Sequence, residues 1–203
     1  LLRNKYVYSN GREYDFVAYC FFSDQCMLSY MEDNKKSYGN FYKLLLTEKI
    51  KKEDIVRFEQ SSLQKLIDDD YVNIDEEGYI RIKNKIQLSI LYDLYNNDVI
   101  SYWKMNKRQR KEIDVLVQKK LLKFESTLFS KPEQDYLNYY LNKSEFSNSL
   151  DLRNMYSHGT QPFGNEEVHH SNYIRFLKLF VLIIIKINDE LCIKDEMLED
   201  ITI

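Results

Sequence analysis

The sequence predicts a mainly α fold: a helical bundle built from the N- and C-terminal helices, with a middle α+β region of one or two winged-helix-like units. Three observations predict it. Apolar residues recur at helical spacing near both ends of the chain, whereas the middle switches to short alternating runs. The five glycines, at 11, 39, 78, 159 and 164, all fall in or beside turn-like stretches. The longest apolar run, 179–185 between Lys178 and Lys186, is far short of the roughly 20 residues that a spanning helix needs. It reads as a buried core helix, and no membrane contact is expected.

In chain order, residues 14–31 read as the first helix, with Phe16, Val17, Cys20, Phe21, Met27, Leu28 and Met31 covering much of its circumference. A short connection around Ser37 and Gly39 leads to a second helix over 40–49, which makes the two antiparallel neighbours. The stretch SSLQKLIDDDYVNIDEEGYIRIKN then reads as helix, strand, a turn at Glu76-Glu77-Gly78, and strand. A helix over 86–95 follows. Fifty residues on, the pattern recurs: Leu66-Ile67 corresponds to Leu116-Val117, and Val72 and Ile74 to Leu122 and Phe124. This second unit is a helix, two short extended pieces and a closing helix opened by Pro132. Each unit has the pattern of a winged helix.

Residues 149–156 form a further helix ended by Gly159. Pro162, Phe163 and Gly164 make a loop, and Asn165 caps a last helix running to 189, apolar nearly all round. The domain organisation expected is 1–50 for the N-terminal bundle helices, 51–143 for a winged-helix-like insertion, and 144–203 for the C-terminal helices.

Composition adds bounds. Tyr (17) and Phe (11) are abundant against one Trp, so both a packed core and an adhesive surface are open readings. The net charge of −3 hides an asymmetry. Residues 53–77 carry nine acids against two bases, and 104–123 carry eight bases against two acids. The acidic region repels phosphate and suits a protein partner. The basic one offers Lys107, Arg108, Arg110 and Lys111 for nucleic acid, with Trp103 to stack, although a solvated face is the commoner meaning of such a run. Three cysteines, odd in number and without a C-x-x-C pair, fit reduced thiols in a cytoplasmic protein. The chain opens without Met, as a piece of a longer polypeptide would.

The chemistry-bearing stretch is LDLRNMYSHGTQPFG. A helix end at Gly159 lets His158 turn back toward Arg153, with Asn154 free to satisfy an orphan carbonyl or to orient the imidazole; the three can also simply cap the helix and pair with Asp151 or a neighbour. The run LRNMYSHG resembles the signature of the HEPN superfamily, with Arg153, Asn154 and His158 at its three places. The resemblance implies a helical bundle that pairs into a homodimer near this loop. It also implies a metal-independent endoribonuclease of bacterial defence or toxin systems, with RNA as substrate. In that chemistry the ribose 2′-OH attacks phosphate and leaves a 2′,3′-cyclic end, His158 acting as acid or base and Arg153 stabilising charge. The alternative is a non-catalytic module of the same architecture that binds protein or nucleic acid. Glu166, Glu167, His169 and His170 have no metal-site spacing, so no metal is expected. There is no Walker A loop and no G-x-G-x-x-G, so no cofactor is expected either.

Overall fold

A computed structural model describes residues 2–30, 38–160 and 165–199, the last helix with side chains through 196. The chain is mainly α-helical, and it forms two compact units, Val7–Phe124 and Leu1–Tyr6 with Glu125–Ile203. This division runs differently from the expected boundaries at 50/51 and 143/144. The N-terminal helices share a core with the middle elements because their apolar faces are met there.

In the first unit, α1 (Gly11–Phe22) is shorter than the expected 14–31 helix. It stops at Ser23, whose hydroxyl accepts the Gln25 N–H at 3.1 Å, a local bond that competes with the helix. A single 3₁₀ turn over Met27–Ser29 follows, and Met31 and Ser37 lie outside the described residues. α2 (Phe41–Thr47) starts where Asn40 accepts the Lys43 N–H. α3 (Gln60–Asp68) leads into a hairpin of β2 (Val72–Ile74) and β3 (Ile80–Ile82), antiparallel with Asn73 opposite Arg81. α4 (Lys85–Asn97), β4 (Ile100–Ser101), α5 (Lys107–Gln118) and β5 (Leu122–Glu125) complete it. Phe21, Phe41, Leu44, Leu63, Leu66, Leu88, Leu91, Leu94, Ile113 and Leu116 form the buried core.

The fifty-residue recurrence is visible in the backbone. After α3 the Tyr71 N–H bonds the Leu66 carbonyl at 3.0 Å, and after α5 the Leu121 N–H bonds the Leu116 carbonyl at 3.0 Å. Both helix ends turn through a left-handed residue, Asp70 at φ 71° and Lys120 at φ 62°. The two strand sets differ, however. Only β2 has a hairpin partner next to it in sequence. In place of the second extended piece expected after β5, the strand hydrogen-bonds to β1 (Tyr6–Ser9), which lies in the middle of a β4-β1-β5 sheet.

In the second unit, α6 (Lys131–Leu141) begins with a capping box in which the Glu133 carboxylate accepts from Ser130 N–H and Oγ–H. α7 (Leu152–Ser157) is short, and α8 (Glu166–Glu199) runs 34 residues, ten beyond the expected end. Asn165 accepts the Val168 N–H at the start of α8, and the loop expected at 162–164 lies outside the described residues. One face of α8 is buried: Asn172, Leu179, Glu190 and Ile193 are all under 9 % exposed.

The opposite face of α8 corrects the expectation of a core helix. Of the run 179–185, only Leu179 is buried, while Phe180, Val181, Leu182, Ile184 and Ile185 are 42–56 % exposed. The helix meets its unit along one face, from Asn172 to Ile193, and carries apolar residues well beyond that face. No helix among the described residues is long and apolar enough to cross a membrane.

Candidate functional site

Asp151, at φ 51°, opens α7 and draws the local polar groups to itself. Its Oδ1 accepts from Asn154 Nδ2 at 2.8 Å and from the Lys143 N–H at 3.2 Å. Asn154 therefore secures the helix start through Asp151. At the other end, the His158 N–H bonds the Asn154 carbonyl at 3.0 Å, and Gly159 turns left-handed at φ 65°. The His158 side chain is exposed at that tip. Arg153 donates from Nη1 to Asn142 Oδ1 at 3.2 Å. Thus Arg153 and Asn154 lie on α7 and His158 just past its end, and the three share no mutual side-chain hydrogen bond among the described residues.

A different set converges. Tyr156 Oη lies 2.9 Å from His169 Nδ1 and accepts from Asn172 Nδ2 at 3.2 Å. Arg175 in turn donates to Asn172 Oδ1 at 3.1 Å. The hydroxyl donates to His169 Nδ1 or accepts from it according to the imidazole tautomer. Tyr156, His169 and Asn172 border a cleft of about 600 Å³ between α6, α7 and α8. Leu141, Leu152, Tyr173 and Phe176 give it apolar walls, and Arg153, Ser157 and His169 give it polar ones. A volume of this order and a few convergent polar groups suit a small amphipathic ligand. Arg153 is the one residue of the expected trio that borders the cleft; His169 was weighed only as part of a metal cluster, and Asn172 carried no signal in the sequence. No group of three or more His, Cys, Asp or Glu able to hold a metal occurs among the described residues.

The basic stretch is placed on α5. Asn106 caps the helix through the Arg108 and Gln109 N–H groups, so the cations begin directly at its first turn. Lys107, Arg108 and Lys111 are exposed. Arg110 is half-buried with its guanidinium 5.3 Å from the Trp103 ring centre, so the ring expected to stack on a base already carries a cation. The two acids of the stretch face inward: Glu112 accepts from Asn84 and Gln87 of α4, and Asp114 from the Tyr102 hydroxyl. Elsewhere in this unit the acidic triplet Asp68–Asp70 is exposed, with Lys65 paired to Asp69 at 2.8 Å and Lys83 to Asp70.

Among known families, residues 79–131 match the model of the carboxypeptidase activation peptide, over about a quarter of the chain. No curated protein and no solved structure matches. The family match corrects the reading drawn from LRNMYSHG: the similarity is to a carboxypeptidase activation peptide and not to HEPN domains. With it fall the endoribonuclease of defence or toxin systems and the HEPN-type interaction module.

Proposed function

We propose that the unit Val7–Phe124 is a non-catalytic, protein-binding module of the activation-peptide kind, which docks on a peptidase and restrains it. The observation that carries this reading is that the matched segment contains α4, β4, α5 and β5 entire, with all but its last seven residues in this unit. Residues 79–131 run from the edge of β3 through α4, β4, α5 and β5 to the start of α6. Within that segment α4 and α5 pack through Leu88, Leu91, Ile113 and Leu116, all fully buried, so the similarity falls on a folded piece rather than on scattered positions.

In this reading Lys107, Arg108, Arg110 and Lys111 form the cationic part of the docking face. The inward turn of Glu112 and Asp114 supports it, because it leaves the outer side of α5 with one sign of charge that steers an acidic protein surface toward it. The helix α3 followed by the β2–β3 hairpin supports a winged-helix description of the first middle unit, with the acidic triplet at the end of its helix.

The test is an inhibition titration with the intact chain. Added to a carboxypeptidase that is removing the C-terminal residue of a synthetic peptide, it is expected to slow hydrolysis saturably at near-stoichiometric amounts. Replacing Lys107, Arg108 and Lys111 together by Gln is expected to weaken that effect about tenfold or more, with the weakening fading at high salt. Unchanged hydrolysis and no complex on gel filtration, across a panel of carboxypeptidases, would remove the reading.

A further inference from the structure

The exposed face of α8 is ordered in a way that its composition alone does not require. Six large apolar residues, Tyr173, Leu177, Phe180, Ile184, Ile187 and Leu191, follow one another at spacings of four, three, four, three and four. At 100° per residue they make a single narrow stripe, the seam by which two helices interlock side chains. All six are exposed, from 37 % at Leu177 to 58 % at Tyr173. The residues that hold α8 in its own unit, Asn172, Leu179, Glu190 and Ile193, point away from this stripe. The seam is therefore additional to the packing of the unit.

The stripe is also a palindrome. Tyr173 and Leu191, Leu177 and Ile187, and Phe180 and Ile184 are each equidistant from position 182. A two-fold axis at the level of residue 182 would bring each member of these pairs against the other in an antiparallel helix pair. That symmetry comes with the 4-3-4-3-4 spacing itself, and it lets two copies meet antiparallel without a shift of register. Antiparallel pairing also sets opposite ends of the helix dipoles side by side. The area is sufficient: the six residues with Phe176 and Val181 each leave roughly half of a large apolar side chain in water. That totals about 700 Å² per copy, near the roughly 800 Å² per partner of a stable interface.

We infer that α8 is a self-association helix, and that the protein pairs with a second copy of itself through an antiparallel seam centred on residue 182. The pairing has a consequence for the cleft beside α7. Tyr173 belongs both to the seam and to the cleft wall, so Leu191 of the second copy closes the mouth of the cleft next to it. The inference stands independently of the peptidase reading, which concerns the other unit.

Sedimentation of the intact protein, with Cys192 replaced by Ser, tests it. The expected mass is twice 24.6 kDa, falling to 24.6 kDa for Phe180→Glu and for Ile184→Glu. Both residues are exposed, so circular dichroism of the variants should match the parent. Orientation is read by disulfide trapping. Mixed Tyr173→Cys and Leu191→Cys chains should cross-link, and Tyr173→Cys alone should not, since its two copies would stand about 27 Å apart. A monomer at high concentration overturns the inference. So does a dimer indifferent to both glutamates, a Tyr173→Cys chain that links to itself, or association seen only in the presence of lipid vesicles.

Discussion

Lys5 donates from Nζ to Glu190 Oε2 at 2.7 Å, with the two side chains only 2 % and 9 % exposed. The lysine also donates to the Leu128 carbonyl, and Oε1 of the glutamate accepts the Leu2 N–H. The start of the chain is thus fastened to α8 by a charge pair sealed from water. Removing one partner leaves the other charge buried alone, at a cost of about 3–5 kcal/mol. Lys5→Met and Glu190→Leu should each destabilise by that order, and the double variant by clearly less than either. Chemical denaturation of the four proteins measures the coupling; additive losses would show that the pair does not act as one.

The same pair sets an acid limit. Burial raises the Glu190 carboxyl, but the Lys5 ammonium and the Leu2 N–H outweigh it and hold the group below its ordinary 4.5. Glu133 is lowered likewise: burial opposes, and Lys186 at 2.7 Å with Ser130 prevails. A depressed carboxyl stabilises fully above its unfolded value and loses that contribution as pH falls through its folded value. Stability of this unit should therefore be flat above about pH 5 and decline below about 4.5. Glu190→Gln should flatten the decline, as read from unfolding midpoints across pH.

At the alkaline end the other unit yields first. Burial, with Asp98 nearby, pushes the Tyr14 hydroxyl from 10.0 up to about 12, and burial with the Asp114 bond does the same for Tyr102. Tyr71 is raised further, chiefly by burial. A raised group stabilises below its unfolded value and loses that as pH rises through its folded one. Unfolding of Val7–Phe124 should therefore set in between pH 10 and 12, following tyrosinate absorbance, and Tyr102→Phe should shift the onset upward.

Helix ends offer a test of the fifty-residue repeat. Lys120 sits at φ 62° in the position where glycine is at ease, so Lys120→Gly should stabilise by roughly 0.5–1 kcal/mol. Lys119, in right-handed geometry at φ −72°, should lose stability on the same change. Thermal melts that rank the two variants the other way would mean that the left-handed turn carries no strain.

Local signals in the sequence were legible where the physics is local. Asn40, Asn84 and Asn106 each accept N–H groups at the start of the helix they precede, and the Glu76–Gly78 turn joins the hairpin as its residue types require. Strand β1 was not legible, because YVYS is too short to announce itself and its neighbours β4 and β5 lie about a hundred residues away. The exposure of α8 was hidden for a related reason: hydrophobicity predicts that a surface is covered, not that its own unit covers it. At the cleft, the motif named Arg153, which lines it, for a chemistry that the family match does not support. Tyr156, His169 and Asn172 needed the fold, since the motif pointed to His158 at an exposed helix end.

The Tyr156–His169–Asn172 chain gives the last prediction. If Tyr156 accepts from Asn172 and gives its proton to His169 Nδ1, then the imidazole carries its N–H on Nε2. Nitrogen NMR of the labelled protein at neutral pH should show a pyridine-type signal at Nδ1 and a pyrrole-type signal at Nε2. Tyr156→Phe removes the donor, so the two tautomers should come into exchange and both signals move toward the average. Asn172→Leu should leave the tautomer in place, because the tyrosine keeps its proton, but lose about 1–3 kcal/mol of stability through the stranded Arg175 and Tyr156 partners. A pyrrole-type Nδ1 in the parent protein would reverse the direction of the bond. It would turn His169 into the donor and put the acceptor lone pair on Nε2.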